Sequence, residues 1–166
     1  MVNPFTHFDD TGASRMVDVG DKMETARSAT ASALVRMKSE TATLIRTKAL
    51  SKGDVLEVAR LAGIMGAKKT SDLIPLCHPL PIHGVEIQFE FTDDRTLRIL
   101  ASVKVTGKTG VEMEALTAVS IAALTVYDMA KAIDREMTIE KIRLEEKLGG
   151  KSGHFQAGED RERTTG

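Results

Sequence analysis

The chain has 166 residues, of which 42% are hydrophobic and 28% charged, with 23 basic and 24 acidic residues and a formal net charge of -1. A chain of this length can bury roughly two thirds of the surface that its unfolded form exposes, and its composition excludes a disordered polypeptide. The balanced charge argues against binding to nucleic acid through a general basic field, so any anion site must be local.

The first half of the chain predicts one strand and two helices. Residues 29–38 alternate apolar and polar side chains, which is typical of a half-buried strand. Residues 40–48 have helical character. Asp54, with Glu57 three residues on, is a helix N-cap signal, so a second helix begins there. Three prolines then exclude regular helix from residues 70–83, which we expect to form a loop with at most a short opening turn.

The second half predicts a hairpin, a long helix and a last strand. Residues 85–91 and 97–105 alternate cleanly on either side of a polar turn, as in an antiparallel hairpin with one buried face. Residues 111–133 are apolar around most of the helix circumference, so that helix is expected to be buried. A strand at 138–147 completes the pattern. Its inward-facing residues are predicted to be Ile142 and Leu144.

This order of elements matches the split βαβ plan. It predicts an α+β fold, a ferredoxin-like antiparallel sheet with helices packed on one face. Residues 1–150 form a single domain, and residues 151–166 form a glycine-containing segment that continues as a mobile polar tail. The four predicted strands leave sheet edges that a homo-oligomer can cover.

The composition also bears on location. The sequence has no apolar run of about 18 residues, and its first residues lack the basic start and apolar stretch of a secretion signal. The single cysteine, Cys77, excludes an internal disulfide and suits a reducing compartment. We therefore expect a cytoplasmic protein without a membrane span.

Two glycine-lysine pairs, at 107–108 and 150–151, resemble parts of a phosphate-binding loop. Neither is a P-loop, because Ser102 and Glu145 stand where that motif requires glycine. Such loops still offer backbone N–H groups and a cation to a phosphate. The alternative is that Lys108 and Lys151 are solvated lysines in surface turns. Other cations near element ends favour a small polyanionic ligand. They are Arg46, Lys48, Lys52, Lys68, Lys69, Lys131 and Lys147.

The long helix places Glu114, Thr117, Asp128 and Lys131 on one face. On a helix this apolar, a carboxylate and an ammonium three residues apart are costly to bury without partners or a wet cleft. One interpretation is an acid and base pair on a cleft floor, where neighbouring charges tune both pKa values. The other is an ordinary surface ion pair.

The proline-braced segment 73–82 presents His78 in a fixed direction, either toward a ligand or for packing. His83 is a possible second metal ligand, but no third ligand follows at a sensible spacing, so we predict no metal site. Nothing in the pattern supports Cys77 as a nucleophile.

Five stretches of the sequence together resemble one known family. They are Met16-Val17-Asp18-Val19, Ala67 to Pro79, Thr106 to Ala118, Ala122 to Ala132 and Gly149-Gly150-Lys151-Ser152-Gly153. The resemblance is to the molybdenum cofactor biosynthesis protein C family, the cyclic pyranopterin monophosphate synthases, and it runs from about residue 5 to residue 155.

The resemblance implies a ferredoxin-like fold assembled as a hexamer built from dimers, with active sites at subunit interfaces. It implies a lyase that converts 3′,8-cyclo-7,8-dihydro-GTP, supplied by a partner radical enzyme, to cyclic pyranopterin monophosphate and pyrophosphate. It implies no resident cofactor. Whether Mg²⁺ accompanies the triphosphate stays open.

The resemblance also assigns residue roles. The catalytic positions are Asp128, Lys131 and Lys52. The substrate-holding positions are Leu76, Cys77, His78, Met113 and Glu114. The basic positions around the triphosphate are Arg27, Lys68, Lys147 and Lys151, and the polar positions of the pocket are Asp18 and Glu112.

Two other functions fit a fold of this kind. A ferredoxin-like regulatory module would bind a small ligand without turnover. An RNA-binding sheet would expose aromatic side chains on its central strands, whereas Phe89 and Phe91 share the apolar side of their strand with Val85 and Ile87. The two aromatic residues are therefore predicted to belong to the core.

Overall fold

The computed structural model of the protein describes residues 11–151 and 153–158, so Ser152 and residues 159–166 of the predicted tail lie outside the described part. The elements in chain order are β1 (Thr25–Arg36), α1 (Ser39–Arg46), α2 (Val55–Lys68), α3 (Thr70–Leu73), β2 (Gly84–Phe91), β3 (Thr96–Gly107), α4 (Glu112–Ala130), β4 (Thr138–Leu148) and β5 (Phe155–Gln156). The predicted order is confirmed, and α3 is the short turn that opens the predicted loop.

The sheet has the strand order β2-β3-β1-β4-β5, and every neighbouring pair is antiparallel. The first four of these strands have the ferredoxin-like order, so the predicted fold class is confirmed. In β1 the alternation predicted from the sequence buries Ala29, Ala31, Ala33 and Val35 to 2% exposure or less. Small side chains on the buried face of the central strand let α4 lie close to the sheet.

Helix α4 is the centre of the core, in contact with β1, β3, β4 and α2. Its buried residues are Glu114, Ala115, Thr117, Ala118, Val119, Ala122, Ala123, Val126 and Ala130. Within the described part of the chain it is the one helix long and apolar enough to cross a membrane. Its packing is that of a core helix in a globular domain, because half of its most apolar stretch is covered by the rest of the molecule.

Two glycines of α2 allow that helix to pack closely on α4. A Cβ added at Gly63 would lie 3.0 Å from the carbonyl oxygen of Ala118 and 3.2 Å from the Cβ of Ala122. One added at Gly66 would lie 2.8 Å from Ile121 Cγ1. The α2–α4 contact therefore depends on the absence of side chains at these two positions.

The aromatic residues of β2 belong to the core, as predicted. Phe89 and Phe91 pack against the buried cluster. The guanidinium of Arg60 lies 5.1 Å from the ring centroid of Phe89, and that of Arg46 lies 4.1 Å from the ring of Phe91. The two rings are therefore engaged within the chain rather than presented as stacking platforms for bases.

The inward orientation predicted for Ile142 is wrong, whereas that of Leu144 is confirmed. Ile142 is 44% exposed, and Leu144 packs against the core. The pairing of β4 with β1 shifts register at two places, and Lys141 has a positive φ of 50°. At each shift β4 contains one residue more than the facing part of β1. The extra residue reverses which side chains of β4 point toward the core, so a strict two-residue period does not extend along the strand.

Two element ends differ from the prediction by more than two residues. β1 begins at Thr25 rather than at residue 29. α4 ends at Ala130 rather than at residue 133, because the N–H of Ile133 turns back to the carbonyl of Ala130 at 2.9 Å and closes the helix. Residues 155 and 156, which belong to the segment expected to be mobile, form β5 and pair with β4 at the edge of the sheet.

Candidate active site

A cleft of about 430 Å³ lies between the proline-braced loop, the start of α4 and the segment that precedes β1. This is within the size range of small-ligand sites. Its lining residues are Val17, Val19, Lys22, Leu76, Cys77, His78, Leu80, Thr109, Gly110, Glu112, Met113 and Glu114. The structure therefore brings together all six predicted residues from the proline-braced loop and the start of α4.

His78 is held by the chain segment opposite it. Its Nε2–H donates a hydrogen bond to the carbonyl oxygen of Val17 at 2.9 Å, over 61 residues of sequence. The two flanking prolines restrict the backbone on both sides of the ring. The imidazole thus fastens the segment that precedes β1 to the proline-braced loop and forms part of one wall of the cleft.

Glu114 is an ionisable group inside the cleft wall, with only 3% of its surface exposed. Burial raises the pKa of its carboxyl group, and the nearby charge of Glu112 adds to the rise. Burial, and then the charge of Glu114, also raise the pKa of the Cys77 thiol. Cys77 therefore stays a neutral thiol near pH 7, which is the opposite of what a thiolate nucleophile requires.

Arg27 holds the first glycine-lysine loop at the edge of the cleft. Its guanidinium donates to the carbonyl oxygens of Gly107 at 3.0 Å and Lys108 at 3.2 Å. A Cβ on Gly149 would collide with the carbonyl oxygen of Ala26. The first glycine-lysine loop and the glycines after β4 therefore close around the first residues of β1.

The other predicted triphosphate residues lie at the same end of the molecule. The Nζ of Lys147 is 3.9 Å from an Oε of Glu112, and its side chain is 17% exposed. Lys151 is exposed beyond the end of β4. Lys68 is exposed and lines a neighbouring cleft that shares Leu80 with the first cleft. Of these cations, Lys147 is therefore the one with a contact to the cleft lining in the described part of the chain, and Lys68 lies in the adjoining cleft.

Asp18 is exposed and makes a local turn, in which its Oδ1 accepts a hydrogen bond from the N–H of Gly20 at 2.7 Å. The ammonium of Lys108 donates to the carbonyl oxygen of Gly20 at 2.6 Å. Asp18 is therefore beside the cleft rather than in its lining, and its turn is fastened to the first glycine-lysine loop.

Several lining residues were not among the predicted site residues. They are Val17, Val19, Lys22, Leu80, Thr109 and Gly110. Four of them, Val17, Val19, Thr109 and Gly110, lie inside the stretches that carry the family resemblance. Lys22 has no such signal, because only the folding of the segment before β1 over the cleft places its side chain there.

A second cluster lies at the opposite end of α4. The Nζ of Lys131 donates to Oδ1 of Asp128 at 2.7 Å, and the Nζ of Lys52 donates to the backbone carbonyl of Asp128 at 3.1 Å. The side chains of Lys131 and Asp128 are 51% and 62% exposed in the single chain. The hydrogen bond and charge of Lys131, with the charge of Lys52, lower the pKa of Asp128, and the same pair raises the pKa of Lys131.

The four residues that share one face of α4, Glu114, Thr117, Asp128 and Lys131, lie in two separate places of a single chain. Glu114 and Thr117 are buried at the start of α4, whereas Asp128 and Lys131 are exposed at its end. Glu114 and Asp128 are 14 residues apart on the helix, which is about 21 Å along its axis. Angular position on a helical wheel does not include this axial distance.

The described residues contain no group of three or more His, Cys, Asp or Glu side chains placed to hold a metal ion. His83, the second histidine of the proline-braced region, contributes to two other clefts, and its N–H donates to the carbonyl of Lys104 at 2.9 Å. It therefore does not join His78 in one site.

The fold and the site together define an α+β domain of the ferredoxin-like class with a small-ligand cleft and a separate acid and base cluster. The chain belongs to the MoaC family, whose sequence model matches residues 16–150. The family resemblance found in the sequence is thus confirmed.

Curated relatives cover nearly the whole chain. A protein of Desulfitobacterium hafniense is 62% identical over 150 residues, which is 90% of this chain and 92% of the relative. One of Brevibacillus brevis is 57% identical over 159 residues, covering 96% and 99%. One of Novosphingobium aromaticivorans is 57% identical over 158 residues, covering 95% and 100%. All three are named cyclic pyranopterin monophosphate synthase.

Proposed function

We propose that this protein is a lyase that converts 3′,8-cyclo-7,8-dihydro-GTP to cyclic pyranopterin monophosphate with release of pyrophosphate, an early step of molybdenum cofactor biosynthesis. The observation that carries the proposal is family membership across residues 16–150, with relatives of that name matched over almost their entire length.

The cleft takes the purine-derived part of the substrate. Leu76, Cys77 and His78 form one wall, and Met113 and Glu114 form the facing wall at the start of α4. The triphosphate extends toward the cations at the cleft edge, and Asp18 and Glu112 supply polar groups there. Those cations are Arg27, Lys68, Lys147 and Lys151. Lysine charge at the phosphates stabilises the departing pyrophosphate, because negative charge develops on the leaving group.

The cluster at the end of α4 supplies proton transfer. Since the pKa of Asp128 is lowered and that of Lys131 is raised, the free protein near pH 7 holds a carboxylate base beside an ammonium acid. Opening a purine ring and reclosing it as a pterin needs several proton transfers. Both shifts lead away from neutral pH, so the pair serves as base and acid once a bound substrate or a facing subunit brings the two pKa values closer to neutrality. Lys52 adds a second ammonium within reach of the same residue.

A second copy of the chain completes the site. The cleft and the acid and base cluster are about 21 Å apart along α4, too far for one small substrate to contact both in one subunit. An interface that sets the cleft of one copy against the cluster of another removes this separation. The expected assembly is a hexamer built from dimers. Exposed apolar residues on the helix layer, Leu61, Met65 and Leu124, are suited to such contacts.

The remaining parts of the proposal concern partners and location. The chain works without a resident cofactor, and a Mg²⁺ ion that arrives with the triphosphate is compatible with the cation-lined edge of the cleft. A radical enzyme that acts on GTP supplies the substrate. We place the reaction in the cytoplasm, which suits a reduced Cys77.

The test is to incubate the purified protein with enzymatically prepared 3′,8-cyclo-7,8-dihydro-GTP, to follow pyrophosphate release and to oxidise the product to its fluorescent pterin. The Asp128→Asn variant is the control, because it keeps the shape of the side chain and removes its charge. Release together with pterin in the wild type, and neither in the variant, is the expected result. A folded oligomer that binds the substrate without turnover would instead be a regulatory module.

A further inference from the structure

Asp134 is a buried carboxylate with no part in the contacts described so far. It lies in the connection between α4 and β4, three residues after Lys131, and only 1% of its surface is exposed. A carboxylate in such a place is stable only if hydrogen bonds replace its lost water.

The partners of Asp134 come from two sides. Its Oδ2 accepts hydrogen bonds from the N–H of Lys38 at 2.8 Å and from the hydroxyl of Thr41 at 3.1 Å. Its Oδ1 accepts from the N–H of Glu136 at 3.2 Å, and the ammonium of Lys38 lies 3.9 Å from it. Burial by itself would raise the pKa of Asp134, but these hydrogen bonds outweigh it, so the pKa is lowered and the group is ionised.

The carboxylate acts as the cap of α1 from a distant part of the sequence. Lys38 occupies the N-cap position of α1, and a lysine side chain has no acceptor with which to cap a helix. Asp134, 96 residues away in sequence, accepts from the N–H of this N-cap residue and from the hydroxyl of Thr41 in the first turn, and it puts a negative charge at this helix end. It therefore ties the start of α1 to the end of α4.

Both tied elements lead to the acid and base cluster. At the far end of α1, the N–H groups of Lys48 and Ala49 turn back to the carbonyls of Ile45 and Leu44, and this turn leads to Lys52. On the other side, the N–H of Asp134 bonds to the carbonyl of Ala130 at the end of α4. The 3.1 Å hydrogen bond from Lys52 to the carbonyl of Asp128 joins the loop that follows α1 to the end of α4.

We propose that Asp134 is a positioning residue of the synthase. By fixing α1 to the end of α4, it holds the Lys52 ammonium within hydrogen-bonding distance of Asp128. The mechanistic half of this inference rests on the proposed function, whereas the placement of Lys52 can be measured without any turnover.

The first experiment measures that placement. The lysines of the folded Asp134→Asn variant are acylated briefly with an amine-selective reagent, and the modified peptides are quantified by mass spectrometry. Lys52 should react faster than in the wild type, and Lys69 should react at the same rate in both proteins. The matched control is Glu136→Gln, which removes the exposed ion pair with Lys38 and leaves the buried carboxylate in place. Unchanged reactivity of Lys52 in folded Asp134→Asn would overturn the proposal.

The second experiment measures the catalytic consequence. Asp134→Asn should lower kcat on the order of tenfold with KM unchanged, because the substrate loop lies at the other end of α4. In a Lys52→Met background the same change should have almost no further effect on single-turnover pyrophosphate release. A full additional loss there would mean that Asp134 acts independently of Lys52, which would contradict the proposal. Absence of turnover in the wild type would refute the proposed function while leaving the labelling result valid.

A milder variant covers the case in which Asp134→Asn does not fold. Thr41→Val removes one donor to the carboxylate and keeps the shape of the side chain. As in Asp134→Asn, the reactivity of Lys52 should rise and kcat should fall, each by a smaller factor. A folded Thr41→Val protein identical to the wild type in both measurements would count against the proposal.

Discussion

If each active site is shared between two chains, two inactive variants should restore activity when mixed. The perturbations are His78→Ala, which damages the cleft, and Asp128→Asn, which damages the cluster at the end of α4. The axial separation of about 21 Å between Glu114 and Asp128 places the two changes in different halves of the proposed site. A substrate held at the cleft of one chain then meets Asp128 of another.

The size of the recovery follows from this arrangement. In an equal mixture with free subunit exchange, half of the clefts are intact, and half of the facing clusters are intact. About one quarter of the sites therefore combine two intact halves, which predicts about one quarter of the wild-type rate in a symmetric oligomer. A site contained within one chain predicts no recovery at all.

The assay is co-refolding or co-expression of the two variants with different tags, purification through both tags, and measurement of pyrophosphate release. The control is an equal mixture of wild type with the doubly substituted chain. Sites shared between chains predict about one quarter of the activity in that mixture, and sites within one chain predict about one half. No recovery in a verified mixed oligomer of the single variants, together with half activity in the control, would refute the shared site.

Three further changes test other parts of the description. The pKa of Glu114 is raised in the folded state, so stability falls as pH rises from the unfolded pKa of about 4.3 through the folded pKa. Glu114→Gln should therefore raise Tm at pH 7.5 and leave it unchanged near pH 4; a shift independent of pH would contradict this. Gly63→Ala should lower the free energy of unfolding by about 1–3 kcal/mol, because its Cβ meets Ile87 of β2 and the carbonyl of Ala118 in α4. Gly84→Ala, with open space around the added Cβ in the described part of the chain, should not. Equal effects in denaturant titrations would show that α2 is not tightly packed at Gly63. Lys131→Met should raise the pKa of Asp128, as measured by carboxyl NMR titration, and an unchanged value would mean that the ion pair does not form.

Local patterns predicted the elements well because each depends on neighbouring residues only. The alternation of β1 and the cap at Asp54, whose side chain accepts from the N–H groups of Leu56 and Glu57, are properties of a few consecutive residues. The orientation of Ile142 was predicted wrongly because it depends on residues that are distant in sequence. A bulge depends on the pairing of β4 with β1, and a positive φ at Lys141 leaves no mark in the hydrophobic pattern.

The residues of the candidate site were predicted or missed for the same reasons. Residues in contiguous stretches, such as His78 and Glu114, were found from the sequence, and the structure places them in one cleft. Lys22 was missed because its position depends on the path of a segment without regular structure. Asp134 was missed because its role depends on contacts made across 96 residues of chain with Lys38.

The exposed ion pair of Asp128 and Lys131 explains why neither interpretation made from the sequence could be preferred. In one chain it is a surface i,i+3 pair more than half exposed on both sides, and such pairs contribute little to stability. The same pair becomes strongly coupled only when a second surface excludes water from it, since the interaction of two charges grows as the surrounding dielectric falls. The chemistry proposed for this protein therefore depends on assembly, so dilution that dissociates the oligomer should abolish turnover before it unfolds the chain.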